Sequence, residues 1–389
     1  MKKGLFKSLW TRFFCGSILF LPLLLSAEVQ GEAVTAIRLV LPIQPDPVVT
    51  KIAGVFTRQV QSRCGATVLT EGTAPLTMEW VIEAGIGAEG FQISDVSSGV
   101  IRIRGNDKRG LLYGVGKFLH TSSYGSAGFT AGSWRGTSIP ASPVRGIYLA
   151  THFYNFYHVA PVEEVTNYIE DLSLWGANSF LVWFGREEYT SIENPAAQAQ
   201  LARLRALLQI VKDLGLNASM GCICNDGYKD SPVELRADSS TVDHEHYHTL
   251  NGPRIYNVGY ELCPSKPGVP EMEIGYVQEM IDAFQSVGLD YWFFAPYDNG
   301  GCTCAQCAPW GSNGYLRMAK MLVGAYRSAY PQGKVIMSTW YFNRWAYGEW
   351  EGITEQFNQQ RPDWVDYLMI DNFEDYPAYP LEHGVPGGL

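Results

Sequence analysis

From Pro143 onward the sequence alternates between short apolar runs and longer stretches with helical spacing. The runs at residues 144–150, 179–184, 217–222, 289–295 and 335–342 are each followed by such a stretch, at 161–175, 196–214, 271–287, 313–329 and 351–360, and a last run covers 367–370. Runs of that length read as strands, and apolar residues recurring at three and four read as helix. Strict alternation makes the strands parallel, because the chain must return over one face before it starts the next strand. The expected fold class is therefore α/β, with a (β/α) TIM-type barrel over residues 143–389. A closed barrel takes about 250 residues and eight strands. This stretch has 247 residues but six strands, and part of its length goes into a long insertion at 226–270. The expectation is a barrel truncated after about six strands, as in a fragment that ends before strands seven and eight. A doubly wound open sheet is the alternative, but no Gly-rich phosphate turn follows the first strand.

Residues 33–138 read as a separate small α/β accessory domain. A strand at 36–41 leads to a helix at 48–63, and strands at 78–83, 90–94 and 99–105 precede a helix at 111–119. The segment 122–143, with Gly, Ser and Pro, reads as a linker. Ahead of this domain, Lys2, Lys3, Lys7 and Arg12 precede an apolar stretch at 13–25 and then Ser26-Ala27, the pattern of a signal peptide over residues 1–27. That stretch is too short to span a bilayer. The expected product is secreted or periplasmic, with no stable membrane insertion after signal removal. Losing four basic residues and no acids would take the formal charge from −10 to −14, which argues against nucleic acid as a partner.

In a parallel barrel the chemistry sits at the C-terminal ends of the strands. Those ends carry His152; Arg186, Glu187 and Glu188; Asn225 and Asp226; Asp298 and Asn299; Trp340, Tyr341, Asn343 and Arg344; and Asp371, Asn372, Glu374 and Asp375. Carboxylates, amides and aromatic rings in one rim suit a sugar, whose faces stack on rings and whose hydroxyls bond to polar groups. Two acids can also cleave a glycosidic bond. The expected substrate is thus an oligosaccharide or polysaccharide, bound through His152, Arg186, Asn299, Trp340 and Tyr341. Asp226 and Glu188 have a plainer reading as helix caps, and His152 one as a hydrogen-bonded rim residue.

"YDNGGCTCAQCAPWG", residues 297–311, joins Asp298 to three cysteines. Cys304-x-x-Cys307 suits a zinc knuckle, with Cys302 and Cys263 completing four ligands; an exported chain would equally favour disulfides. Both readings stand, so no cofactor is required and a structural zinc is one option. With Cys222 and Cys224 at a neighbouring strand end, six cysteines could meet in one region. His244, His246 and His248 would share one face of an extended strand and could hold zinc or copper, although a polar loop is the plainer reading.

"GFQISDVSSGVIRIRGNDKRGLLYGVGKFL", residues 90–119, resembles the accessory domain that precedes the barrel in family-20 β-hexosaminidases and family-67 α-glucuronidases, with Gly105, Asp107, Gly110, Tyr113 and Gly114 in matching places. "PVRGIYLATHF", residues 143–153, resembles the first barrel strand of such hydrolases. The resemblance implies a glycosidase. In family 20 an Asp-Glu pair ends strand four, the Asp holding the substrate acetamide and the Glu giving a proton. Here the pair reads Asp298-Asn299, so the first role carries over to Asp298 and the second does not carry to Asn299. "YDNGGCTCAQC" is also similar to a turn in family-163 endo-N-acetylglucosaminidases. The expected function is hydrolysis of a glycan containing an N-acetylhexosamine. Asp298 would orient the acetamide or act as base, with Glu374, Asp371 or Glu187 as general acid. A carbohydrate-binding protein without catalysis and an α-glucuronidase-like hydrolase are the alternatives, and a zinc hydrolase built on the three histidines is a third.

Overall fold

The computed structural model describes residues 31–237, 260–297, 301–343, 348–359, 362–370 and 382. The expected signal peptide, His244, His246, His248, Asp298, Asn299, Asp371 and Glu374 lie outside the described residues. Among the described residues no helix is long and apolar enough to cross a membrane.

The first unit runs β1 (Ala36–Val40), α1 (Pro47–Cys64), β2 (Thr67–Leu69), β3 (Leu76–Ile82), β4 (Phe91–Ser97), β5 (Val100–Gly105) and α2 (Lys108–Thr121). Helix α1 starts where Asp46 accepts a bond from Val48 N (2.9 Å) and Pro47 occupies the first turn, and it ends at Gly65 with φ 68°. Its buried face is Val49, Ile52, Val55, Phe56 and Val60, at helical spacing. The expected linker is instead part of this unit. It forms β6 (Ser123–Gly125), β7 (Gly128–Thr130) and β8 (Gly136–Ser138), and β8 adds to the sheet edge to give the order β2-β1-β3-β5-β4-β8. Strands of only three residues leave too weak a periodic signal to be read from sequence.

The second unit is a single parallel sheet of β9 (Gly146–Leu149), β10 (Ser179–Trp183), β11 (Asn217–Ile223), β12 (Tyr291–Ala295), β13 (Lys334–Ser338) and β14 (Tyr367–Met369). Between β9 and β10 come α3 (Phe156–Val159) and α4 (Val162–Leu174), and the later connections are α5 (Pro195–Asp213), α6 (Val269–Phe284), α7 (Leu316–Ala329) and α8 (Glu349–Gln359). The strands neighbour one another in chain order without reversal. A doubly wound sheet reverses its order at a switch point, so the chain is mixed α/β with a partial TIM-type barrel. Phe180, Ala218, Trp292 and Met337 belong to the buried core, while Leu181, Ser219, Phe293 and Ile336 face a cavity of about 600 Å³. Strand β13 ends at Ser338, four residues short of the expected Phe342, because the chain turns at Tyr341 and Asn343, both at positive φ (58° and 60°).

The segment that carries the family resemblance joins the two units. Asp107 caps α2 through Gly110 N (2.8 Å) and accepts from Glu89 N (2.7 Å). Gly110 lies against Gly90 O, which a Cβ would approach to 2.1 Å. Arg109 then donates to Gly215 O and Asn217 Oδ1 (both 2.7 Å) and to Glu89 (2.9 Å). Glu89 also takes bonds from Arg145 (2.5 Å) and Asn178. Arg145, Asn178 and Asn217 stand where β9, β10 and β11 begin. The first unit is therefore docked at the N-terminal ends of the barrel strands, leaving their C-terminal ends clear.

Candidate active site

At the end of β9, Thr151 Oγ1 donates to Trp183 O (2.7 Å) and accepts from Trp183 N (2.9 Å), and Thr151 O accepts from Gln200 (2.8 Å). This lock fixes His152, whose ring centroid lies 3.8 Å from Phe153 and 5.3 Å from Trp183. Burial, helped by His158, pushes the His152 pKa down to about 3. The ring is thus neutral at ordinary pH and offers a hydrogen-bonding edge and an apolar face. Trp183 lies over Gly221 of β11, its register partner, where a Cβ would come within 2.6 Å of the indole. Glycine at that position leaves the space that the indole occupies.

The turn after β10 and the end of β11 bring acids together. Glu187 and Asp226 both line the cavity, so two acids face the same space. Burial first, and then the charge of Glu187, hold the Asp226 proton well above the usual carboxylate range, against the pull of Arg186. Glu188, beside Glu187, is pushed up to about 7 by burial and by that neighbour. Arg186 does not line the cavity. It is 1% exposed, bonded to Asp226 O (2.6 Å) and Glu273 Oε2 (3.1 Å), with its guanidinium over the Tyr276 ring. Burial opposes its charge, and Glu273 and Asp226 more than offset that. The sequence expectation of a substrate-binding Arg186 is corrected to a buried counter-ion beneath the rim. Asp226 is not a helix cap either: no helix starts at it, and its carboxyl faces the cavity.

Across the mouth, Tyr297 and Trp340 line the cavity from the ends of β12 and β13. The Tyr297 hydroxyl lies 2.8 Å from Tyr341 O and 2.7 Å from Glu349 Oε2. Glu349 also accepts from Asn343 N (2.9 Å) and Gly311 N (3.1 Å), so one buried carboxyl ties three loops. Burial pushes it up to about 7 against those hydrogen bonds. Tyr341 is absent from the cavity wall; its ring backs Trp340 at 4.6 Å. Tyr148 and Trp183 do line the cavity and were not singled out by sequence, although both sit at strand ends in alternation with core residues.

Of the expected six cysteines, four gather. The sulfurs of Cys263, Cys302, Cys304 and Cys307 all lie within 4.8 Å of one another. Cys222 is apart, its Sγ accepting from Trp292 Nε1 (3.1 Å), and burial pushes it up to about 12. It lies in the strand itself, not in the loop beyond it.

No family model matches the chain, and no curated protein matches it by sequence. Solved structures do match in shape. They include an exo β-N-acetylglucosaminidase from Vibrio harveyi in complex with N-acetylglucosamine (TM-score 0.56, 14% identity, 85% of this chain and 56% of that one). A chitobiase from Flavobacterium johnsoniae matches with TM-score 0.58 and 14% identity, over 92% of this chain and 63% of that one. A mutant β-hexosaminidase from Streptomyces plicatus with N-acetylglucosamine product matches with TM-score 0.58 and 12% identity, over 88% and 72%. The chain thus spans under two thirds of the length of the first two. All three are glycosidases of the kind named by the family-20 side of the resemblance; the α-glucuronidase side finds no support among them. At these identities the likeness establishes the fold: an α/β unit followed by the strands of a TIM-type barrel, as in the family-20 hexosaminidases.

Proposed function

We propose that the chain is an exported glycoside hydrolase acting on a glycan that contains an N-acetylhexosamine. The observation that carries this reading is the pair of acids, Glu187 and Asp226, in the wall of a cavity also lined by Trp183, His152, Tyr297 and Trp340. The rings supply stacking faces for a pyranose. Burial and the neighbouring Glu187 raise the proton affinity of Asp226 above that of a solvated carboxyl, which a general acid to a glycosidic oxygen needs. Arg186 beneath the pair limits how far that proton affinity rises. Asp298, following the Tyr297 wall in sequence, takes the acetamide-orienting role that the family resemblance implies.

The test is a panel of chromogenic glycosides, β-N-acetylglucosaminide, β-N-acetylgalactosaminide and a glucuronide, read beside sugar binding by tryptophan fluorescence. E187Q and D226N are expected to lose about 10²- to 10⁴-fold in kcat while still binding sugar, and D298N to lose turnover selectively on N-acetylated substrates. Asn299, an amide where the family carries its acid, favours a second reading as a carbohydrate-binding protein. Wild-type protein that binds these sugars and turns over none of them would select it.

A further inference from the structure

We propose that Cys263, Cys302, Cys304 and Cys307 form a structural zinc site that clamps the β12–α7 loop to the loop before α6. Their ligand atoms all lie within 4.8 Å of one another, and Cys263 Sγ is 3.8 Å from Cys304 Sγ. Four thiolates at about 2.3 Å from a tetrahedral zinc stand about 3.8 Å apart. A disulfide would need a separation of about 2.05 Å, and pairing does not require two bridges to converge on one point. The backbone is already shaped as a knuckle, with Cys304 O accepting from both Cys307 N and Ala308 N (2.9 Å each).

The surroundings suit thiolate sulfur. Ser265 Oγ lies 3.1 Å from Cys307 Sγ, and Arg317 Nη2 reaches both that sulfur (3.5 Å) and Ser265 Oγ (2.8 Å). A zinc with four thiolates carries a net charge of about −2, which the guanidinium partly offsets, and the outer contacts hold the ligand in place. The loop is closed on its other side by Trp310. Its indole donates to Pro296 O (2.6 Å) and lies where any Cβ on Gly301 would fall 2.0 Å from it. The ring and the four sulfurs thus fix the chain at Pro296 and over residues 301–310.

The full chain, purified without added metal or chelator, is expected to carry about one zinc by elemental analysis. Cobalt substituted for zinc should give intense sulfur-to-metal charge transfer and tetrahedral d–d bands. In unfolded protein a thiol reagent should find four more reactive thiols with chelator than without it. C304S and C307S should hold under about a tenth of the wild-type zinc, whereas C64S, outside the cluster, should hold all of it. If the serine variants fail to fold, the wild-type metal and thiol counts decide alone. Wild-type protein without metal, with four of its cysteines found by mass in two disulfides, overturns the proposal; so does iron in place of zinc.

Discussion

Glycine at 221 and the carboxyl pair at 187 and 226 set the chemistry of the cavity at the level of single residues. Gly221→Ala places a methyl 2.6 Å from the Trp183 ring, so the ring must lift off the sheet. The expected outcome is a loss of about 1–3 kcal/mol of stability with a blue- or red-shifted tryptophan emission maximum, and weaker sugar binding in the same fluorescence titration. Burial, and then the charge of Glu187, hold the Asp226 proton above the ordinary carboxylate range. A donor of that kind stays loaded as the pH rises through 4 to 5 and is emptied only further up. The pH profile of kcat/KM should therefore keep its plateau past the range of a solvated acid and fall on the alkaline side; a profile already falling at about pH 5 would remove the pair from the reaction. The strand-end rule finds Glu187 and Asp226 in the sequence. It does not find that Arg186, between them in role, turns inward, because Glu273, 87 residues on, supplies the partner that buries it.

Secondary-structure order is the most legible layer, since helix and strand periods are local. Every barrel strand falls within a few residues of its expected place. What fails is what depends on distant pairing: β8 joins its sheet only through β4, and β13 stops where Glu349 pulls the Asn343 and Tyr297 loops together. Glu349 makes a prediction about these elements. Its folded pKa, about 7, stands above the unfolded value near 4.5. A raised carboxyl contributes stability that is whole below the unfolded value and is lost as the pH rises through the folded one. Wild-type stability should fall between pH 5 and pH 8 by an amount on the order of 1–3 kcal/mol from this group, and E349Q should flatten that fall. Urea unfolding at both pH values checks it.

For the whole molecule, the decisive joint is the one between the two units. Glu89 sits at φ 57°, a strained position for a side-chain-bearing residue, held there by Arg109, Arg145 and Asn178. Arg109→Ala removes the donors to Gly215, Asn217 and Glu89 together. It should cost about 2–4 kcal/mol and split a single unfolding transition into two, as seen by calorimetry. A single, unshifted transition would show that the units are held by something else. The stretch on which the family resemblance rests, residues 90–119, lies at this joint: Gly110 sits against the Gly90 carbonyl, and Arg109 beside it ties the unit to Gly215 and Asn217. The exported state is an expectation of the same scale. N-terminal sequencing of protein recovered outside the cytoplasm should begin at Glu28.

Arg145, Asn178 and Asn217 hold the first unit at one end of β9, β10 and β11, while His152, Glu187 and Asp226 follow the other end. The same three strands serve both purposes through different residues. The residues that line the cavity are therefore not the ones that make the joint. Anchorage and the cavity wall in this chain can drift independently.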